Sequence, residues 1–488
     1  MSRLSRTTLP QVPPSIERAV ARPHTVGIVH LGLGAFHRAH QALYTDEVAN
    51  DRFGICGVSL KTPGARDALA PQDGLYTIVE KSPAGTRRRI VGSVLEARFL
   101  GDERDEVHRR LIAPDTAIVS LTITEKGYGH DPASGALNPA HPEIAHDLAA
   151  PEHPGSAIGL IVAALDARRH THGRPFTVLT CDNLPHNGPL VRGLTLAYAQ
   201  RLDAALAQWI DANVTFPATM VDRIVPATTP ADVEANDAAL GVHDAAAVVC
   251  EPFRQWVIED AFVGARPPWE RAGAQLVTDV APFEAMKLRL LNASHSAFAY
   301  LGYLAGHEFI YQVAAVPAFV AFMRALMAEV SPTIAVPPGQ DLAAYCDALV
   351  ERFANPALPH KTRQIAMDGS QKLPQRLLGT VRDDLAARRP IDALALAVAG
   401  WMRYMCGVDE AGRTIDVQDP LARELARVAA ANDRDPAALV RGFTSLTQIF
   451  GDDLPNDPRF TAPVTRALAD LFAHGAAATV ARAAGDRS

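Results

Sequence analysis

Hydrophobic residues follow two different patterns along the chain, and the change comes near residue 280. Between residue 25 and about residue 280, short runs rich in Val, Ile and Leu alternate with longer amphipathic stretches. This alternation is typical of βαβ units around a parallel sheet. The predicted strands are residues 26–31, 55–60, 117–124 and 176–181, and the predicted helices include residues 156–169 and 190–206.

The second half of the chain has the period of helices instead. Ala- and Leu-rich segments at residues 283–304, 317–330, 342–353 and 392–405 predict helices, and the Pro-rich stretch 332–338 predicts a loop among them. The break between the two patterns falls at residues 279–282. We therefore predict an α/β protein of two domains, residues 1–280 around a parallel sheet and residues 281–488 mainly helical.

Composition narrows the class of protein. The chain has 488 residues, is 48% hydrophobic and carries a formal charge of −7, so it can form packed cores but lacks the basic excess of a nucleic-acid binder. Its five cysteines form no metal or disulfide spacing. The polar N-terminus does not resemble a signal peptide, and Asp392 and Arg403 interrupt the most apolar stretch. We expect a cytoplasmic protein without nucleic-acid or membrane partners.

A glycine turn follows the first predicted strand. In Gly32-Leu-Gly34-Ala-Phe-His37-Arg38, the first glycine would permit the tight turn, and the second would let backbone N–H groups approach a pyrophosphate at a helix N-terminus. His37 stands where the third glycine of the usual dinucleotide fingerprint falls, so the motif by itself is equally consistent with a plain tight turn.

Longer segments carry a family resemblance. GLGAFHRAHQALYTD at the glycine turn, TITEKGYG, TCDNLPHNG, FPATMVDRIVP, EPFRQWVIED and MKLRLLNASHS occur in order over nearly the whole chain. Together they resemble the mannitol dehydrogenase family of long-chain polyol and uronate oxidoreductases. The resemblance implies a Rossmann-type N-terminal domain that binds NAD through Gly32, Gly34, Ala35, Phe36, His37 and Arg38. Members of this family are often monomeric, which favours a monomer.

The segment from Glu284 to His295 contains the residue types that a metal-free alcohol dehydrogenase needs. At about 100° per residue, Glu284, Lys287, Asn292 and His295 would fall within roughly 140° of one helix face. That face is either solvated or an interdomain surface. A lysine base must lower its pKa from ~10.4 toward ~7 to 8 through burial, and amide groups would stabilise the alkoxide.

The family pattern assigns roles to these positions. It implies that Lys287 is the general acid/base, that Asn183 and Asn292 form the oxyanion pair, that His295 orients the substrate, and that Glu284 relays protons. Asn183 follows the predicted strand 176–181, and strand ends are where ligands bind in open α/β sheets. For Asp222 and Arg223, a buried ion pair and direct contact with the substrate remain equal alternatives.

Metal catalysis is not predicted, although histidines are present. His37, His40, His186 and His295 form no H-E-x-x-H motif and no Cys/His cluster. The choice of nucleotide is less defined, because the second predicted strand is followed by no acid until Asp67, with Lys61 and Arg66 nearby. An acid at that strand end is the usual mark of NAD preference. The family is mostly NAD-dependent, and the sequence leaves NADP open.

Residues 359–376 suggest the substrate. Five cationic or potentially cationic side chains surround a D-G-S turn there, either as a solvated loop or as a pocket for a carboxylate. The segment is most similar to the fructuronate reductase branch of the family, which interconverts D-fructuronate and D-mannonate. We therefore expect a sugar-acid substrate bound by Lys372, Arg363 and Gln364. The alternatives are a mannitol 2-dehydrogenase or D-arabinitol 4-dehydrogenase acting on neutral polyols, and a non-catalytic NAD(H) sensor.

Overall fold

The structure is a computed structural model that describes residues 1–18, 22–48, 51–131 and 134–485. The chain divides into two compact units, Met1–Ala281 and a second that begins at Pro282. The first is an α/β unit and the second is almost entirely helical, which confirms the predicted fold class. In the described residues, no helix has both the length and the apolar character needed to cross a bilayer.

The first unit is built on a parallel sheet. Its twelve strands are β1 Glu17–Arg18, β2 Val26–Leu31, β3 Gly54–Ser59, β4 Tyr76–Ser82, β5 Gly85–Val91, β6 Val94–Phe99, β7 Ile118–Leu121, β8 Thr177–Thr180, β9 Thr219–Asp222, β10 Val248–Cys250, β11 Gln255–Glu259 and β12 Gln275–Val277. Five of them form the main sheet in the order β6-β3-β2-β7-β8, all parallel. Apolar clusters cover both of its faces, which explains why β2, β3, β7 and β8 are continuous buried runs.

Helices connect and cover this sheet. They are α1 Ala35–Ala39, α2 Gln41–Glu47, α3 Gly64–Leu69, α4 Arg104–Ile112, α5 Pro142–Ala149, α6 Ala157–Thr171, α7 Asn187–Leu202, α8 Ala204–Asn213 and α9 Pro230–Leu240. Two smaller sheets, β1-β5-β4-β10 and β12-β11-β9, complete the unit. The main sheet places the chain's first glycine turn directly after β2, between the ends of β3 and β7.

The second unit packs helices around one apolar core. They are α10 Ala281–Met286, α11 Ala293–Leu304, α12 Ile310–Ala314, α13 Pro317–Val330, α14 Leu342–Phe353, α15 Thr362–Ile365, α16 Gly369–Leu373, α17 Gly379–Ala386, α18 Asp392–Met405, α19 Ala422–Ala431, α20 Pro436–Thr444, α21 Thr447–Phe450 and α22 Pro458–Gly485, which is kinked at Gly475. Helix α18 is central, since every residue from Ala393 to Met405 is buried.

Three predicted elements differ from the observed ones. Strand β7 ends at Leu121 because the N–H groups of Ile123 and Thr124 turn to the Asp182 carboxylate instead of continuing the ladder. The helix predicted at 190–206 is two helices, and Asp203 caps the second by accepting a 2.9 Å hydrogen bond from the Ala205 N–H. The helix predicted at 283–304 contains a π-helical turn, Lys287–Asn292, between α10 and α11.

Candidate functional site

The glycine turn depends on Gly32 for its conformation. Gly32 has φ of +98°, and a Cβ there would lie 2.1 Å from the Thr122 carbonyl oxygen. Its N–H and that of Leu33 both donate to the Val58 carbonyl, at 2.9 and 3.1 Å. Only glycine meets both demands, because other residues rarely adopt positive φ and none fits that contact. The turn therefore follows directly from the sequence.

Gly34, by contrast, faces open space. Its backbone is extended, and the nearest heavy atom to a Cβ built there is the Gly32 carbonyl oxygen at 3.7 Å. It is followed by the first turn of α1, where the N–H groups of Ala35, Phe36 and His37 have no partner within the helix. A free space bordered by outward N–H groups fits a pyrophosphate.

The His37 side chain does not belong to this anion site. Its ring stacks on His30 with centroids 3.5 Å apart, and neither ring nitrogen meets a hydrogen-bond partner in the described part of the chain. Burial holds the pKa of His37 well below its usual value, and lowers that of His30 to about 3. His30 itself bonds to Ser120 and Thr122, at 2.8 Å each. His37 thus offers a ligand its backbone, while its imidazole belongs to the core.

The Arg38 side chain also makes its contacts within the first unit. Its guanidinium donates to the carbonyls of Gly34, at 3.2 Å, and of Ala246, and lies 5.7 Å from the centre of the Tyr76 ring. The predicted cofactor-binding role of this side chain therefore competes with contacts that hold α1 in place.

A half-buried acid next to Asn183 was not predicted from the sequence. Asp182 accepts hydrogen bonds from the N–H groups of Ile123 and Thr124, at 2.8 and 3.0 Å, and from the Tyr128 hydroxyl at 2.7 Å. Burial raises its pKa, although each of these hydrogen bonds acts in the opposite direction. Asp182 thereby fixes the backbone on which the exposed Asn183 side chain stands. Its place directly after a buried strand was the available signal.

The cations near the end of β3 are neutralised by acids. Lys61 pairs with Glu143, and Arg66 pairs with Asp67 at 2.7 Å. Arg66 also contacts two acids that follow β6, Asp102 at 2.9 Å and Glu103 at 3.2 Å. These contacts leave little positive charge for a 2′-phosphate of NADP.

Arg223 supports the fold of the first unit. Its fully buried guanidinium pairs with Glu80 and donates to the carbonyls of Glu251 and Ala39. Of the two alternatives that the sequence left for Asp222 and Arg223, the buried ion pair describes Arg223, with Glu80 as its partner.

In the second unit, the π turn changes the alignment of the predicted catalytic residues. The Ala293 N–H donates to the Leu288 carbonyl five residues earlier, instead of four. In an α-helix, Lys287 and Asn292 would lie ~140° apart, at the two edges of the predicted face. A turn that closes on the fifth residue narrows this angle and brings the two side chains closer to one face. Both are buried, with 9% and 7% of their surface exposed, and Glu284 is half-buried one turn earlier. The solvated-face alternative is therefore wrong for Lys287.

His295 lies one turn beyond Asn292 in an aromatic environment. Its ring stacks on Phe353 with centroids 5.0 Å apart and meets the His360 ring edge-on, also at 5.0 Å. Its Nε2 has no hydrogen-bond partner among the residues described. Burial first, and then the nearby positive charges, hold the pKa of His295 well below its usual value, and the same causes lower that of His360 to about 4. Both imidazoles are therefore neutral at pH 7.

Three further cations converge on His295. The charges of Arg376, Arg352 and Lys372 all lower its pKa, and Lys372 also lowers that of His360. We name these residues the cationic cluster: His295, Arg352, His360, Lys372 and Arg376. They come from four segments of the second unit: α11, α14, the residues before α15, and α16 with the turn that continues it. Lys372 additionally donates to the carbonyls of Met367 at 2.5 Å and of Ile365 at 3.4 Å.

The other two predicted substrate-binding residues, Arg363 and Gln364, are not part of the cationic cluster. Arg363 and Gln364 have exposed side chains on α15, and Arg363 forms an ion pair with Asp416. The positive charge of Arg363 is thus balanced where it stands. In the described residues, no three His, Cys, Asp or Glu side chains are arranged to hold a metal ion.

Comparison with known proteins also divides the chain into two domains. Residues 26–271 match the mannitol dehydrogenase Rossmann domain, and residues 279–472 match the mannitol dehydrogenase C-terminal domain. The chain is 50% identical to D-mannonate oxidoreductase of Escherichia coli, over 93% of this chain and 95% of that protein. It is 42% identical to mannitol 2-dehydrogenase of Aspergillus terreus, over 92% and 91% of the two chains.

A solved structure extends this similarity to three dimensions. Mannitol 2-dehydrogenase of Pseudomonas fluorescens, in a ternary complex with NAD and D-mannitol, superimposes with a TM-score of 0.88 at 40% identity and covers 99% of each chain.

Proposed function

The chain belongs to the mannitol dehydrogenase family of oxidoreductases, and we propose that it interconverts a secondary alcohol and a ketone on a linear sugar acid, with NAD as the cofactor. D-Mannonate and D-fructuronate are the proposed pair of substrates. The observation that carries the proposal is the buried π turn that contains Lys287 and Asn292, one turn before His295 and the cationic cluster.

The first unit is the proposed NAD-binding domain. NAD supplies hydride transfer when bound, and the open space at Gly34 with the N–H groups of Ala35, Phe36 and His37 suits its pyrophosphate. NAD is preferred to NADP in this proposal because acids already neutralise Lys61 and Arg66.

The second unit is the proposed catalytic domain. Lys287 would hold and release the hydroxyl proton, with Glu284 passing it onward, because a buried amine is suited to general acid/base catalysis. The amide N–H groups of Asn292 and Asn183 would stabilise negative charge on the substrate oxygen. His295, with a neutral ring and a free Nε2, would bind a substrate hydroxyl.

The cationic cluster favours an acid as the substrate. The positive charges of Arg352, Lys372 and Arg376 lower the pKa of one or both of two neutral imidazoles, and such a positive environment favours a carboxylate. The higher identity to D-mannonate oxidoreductase than to mannitol 2-dehydrogenase points the same way. Neutral polyols are the second candidate, because His295 and His360 could equally bind hydroxyl groups, and the solved relative holds D-mannitol.

Replacement of Lys287 tests the proposed chemistry. Lys287→Met should lower kcat for D-fructuronate reduction by a factor of about 10² to 10⁴, because a general base is lost, with NADH affinity unchanged. The exposed Lys361, which pairs with Glu308, provides a matched control as Lys361→Met. Turnover and NADH fluorescence would be measured on all three proteins. Near wild-type turnover by Lys287→Met would refute the assigned base.

The same assay distinguishes the substrate classes. D-Fructuronate should be reduced with a higher kcat/KM than D-fructose, and Lys372→Met should raise KM for the acid at least tenfold while affecting fructose little. If fructose is the better substrate, the protein is a polyol dehydrogenase. Tight NADH binding without turnover of any ketose would indicate a sensor.

A further inference from the structure

The helical unit contains a second π turn, and it packs against the first. Helix α16 continues into Pro374–Leu378, where the Gly379 N–H donates to the Pro374 carbonyl five residues earlier. Pro374 gives a local reason for this turn, because proline has no N–H and its ring displaces the carbonyl of the preceding turn. The Lys287–Asn292 turn has no proline or glycine, so its cause must lie in packing.

Arg376 is the residue of the second turn that contacts the first. Its Nη1 donates to the Ser296 hydroxyl at 2.9 Å and lies 3.4 Å from the Asn292 carbonyl oxygen. Asn292 ends the first π turn and Ser296 lies in the first turn of α11, so one guanidinium bridges the π turn and the helix that follows it. His295 lies between these two anchor points.

A reciprocal contact joins the turns from the other side. Arg289, within the first π turn, donates to the Thr333 carbonyl at 3.1 Å and pairs with Asp383 of α17 at 2.5 Å. Each widened turn therefore sends an arginine to the segment around the other. Since the two segments are separated by more than 80 residues of chain, these contacts can hold a helical geometry that local sequence does not require.

We propose that Arg376 is a positioning residue, which holds the turn carrying Asn292 and His295 in line with Lys287. This inference rests on the proposed function. Both contacts come from one nitrogen, Nη1, and the shorter lysine side chain would not carry its ammonium nitrogen to the same point. Misplacement of a catalytic group by about 1 Å can cost on the order of 10² in rate.

Kinetics of Arg376 variants test the proposal. Arg376→Met should lower kcat about 100-fold and Arg376→Lys about tenfold, with NADH affinity within twofold of wild type. The primary isotope effect with NADH deuterated at the transferred position should rise, because misalignment slows hydride transfer itself. Ser296→Ala should lower kcat by a smaller factor and should add nothing in the Arg376→Met background, since both act through one contact.

Arg382→Met is the matched control. Arg382 also anchors a helix, by donating to the Phe450 carbonyl at 2.7 Å and pairing with Asp453, and among the described residues its guanidinium forms no hydrogen bond or ion pair with either π turn. This variant should lose thermal stability and keep its kcat and isotope effect. If Arg376→Lys and Arg376→Met behave in the same way, Arg376 is only structural and the inference is overturned.

A Lys287→Met arm separates this inference from the proposed function. Loss of turnover in Lys287→Met with unchanged kcat in all Arg376 and Ser296 variants would refute the positioning role alone. Full turnover in Lys287→Met, or no turnover of any ketose by the wild type, would refute the proposed function. If Arg376→Met does not fold, Arg376→Lys and Ser296→Ala still decide the question.

Discussion

The two turns that carry candidate functional residues, one in each unit, depart from regular structure for opposite reasons. At Gly32 the backbone takes a positive φ that glycine permits, and the close Thr122 carbonyl leaves no room for a Cβ. At Lys287–Asn292 the residues are ordinary helix formers, and the widened turn coincides with contacts from Arg376. The residue type at position 32 accounts for the first turn, whereas the second turn is accompanied by contacts from a distant segment of the chain. Local motifs therefore describe the cofactor side of this protein better than the catalytic side.

Lengthening the π turn by one residue tests whether the register of the pair matters. Insertion of one alanine after Leu288 should place Lys287 and Asn292 six residues apart, ~120° around the axis of an α-helix, while the buried Phe283 and Leu290 keep the flanking helices in place. We expect kcat to fall at least 10²-fold, because the pair loses its alignment. Turnover would be compared with thermal unfolding of the same protein. A folded insertion variant with normal kcat would show that the register of the pair is incidental.

Alanine at the two glycines should separate conformation from binding. Gly32→Ala should lower the free energy of unfolding by about 2 to 5 kcal/mol, because it combines a positive φ with a backbone clash. Gly34→Ala should change stability by less than about 0.5 kcal/mol and weaken NADH binding roughly tenfold, because its Cβ would enter the proposed pyrophosphate space. Urea unfolding and NADH titration measure the two effects. Equal loss of stability in both variants would contradict this distinction.

Low pH should destabilise the folded protein by protonating His30, a buried histidine whose Nε2 lies 3.3 Å from the Gly32 carbonyl oxygen. Burial lowers the pKa of His30 to about 3, below the ~6.5 of an unfolded histidine, so the unfolded chain binds more protons between these values. The stability that the neutral His30 contributes is fully present above pH ~6.5. It is lost as the pH falls toward 3, with a slope of up to about 1.4 kcal/mol per pH unit.

His30→Gln isolates this contribution. Unfolding free energies of the variant and the wild type at pH 7, 6 and 5 should diverge less at the lower pH, since the variant lacks the titrating group. An unchanged pH slope would mean that His30 has the same pKa in the folded protein as in the unfolded chain.

Most of the fold could be predicted from the periodicity of hydrophobic residues alone. The buried runs 26–31 and 55–60 became β2 and β3 with little change, because a strand covered on both faces must be apolar throughout. The missed boundaries lie where side chains compete with the backbone ladder. Asp182 ends β7 and Asp203 divides a helix, and neither effect has a period that a hydrophobic pattern could reveal.

For the site, the residue types were predictable and their partners were not. Lys287, Asn292 and His295 stand in one sequence segment, whereas Arg376 and Arg352 reach them from other helices. Conversely, the sequence suggested that Arg363 and Arg38 bind ligands, but in the structure Arg363 pairs with Asp416 and Arg38 donates to backbone carbonyls.

The amino-acid sequence by itself determined the two-unit division, the parallel sheet, the turn at Gly32 and the set of groups that can do the chemistry. These are properties of period, backbone freedom and side-chain type, all of which are local. Only the tertiary structure decided that Lys287 and Asn292 lie on a π turn and which cations surround His295. An α turn and a π turn can be formed by the same residues with nearly the same number of hydrogen bonds, so local sequence alone does not decide between them.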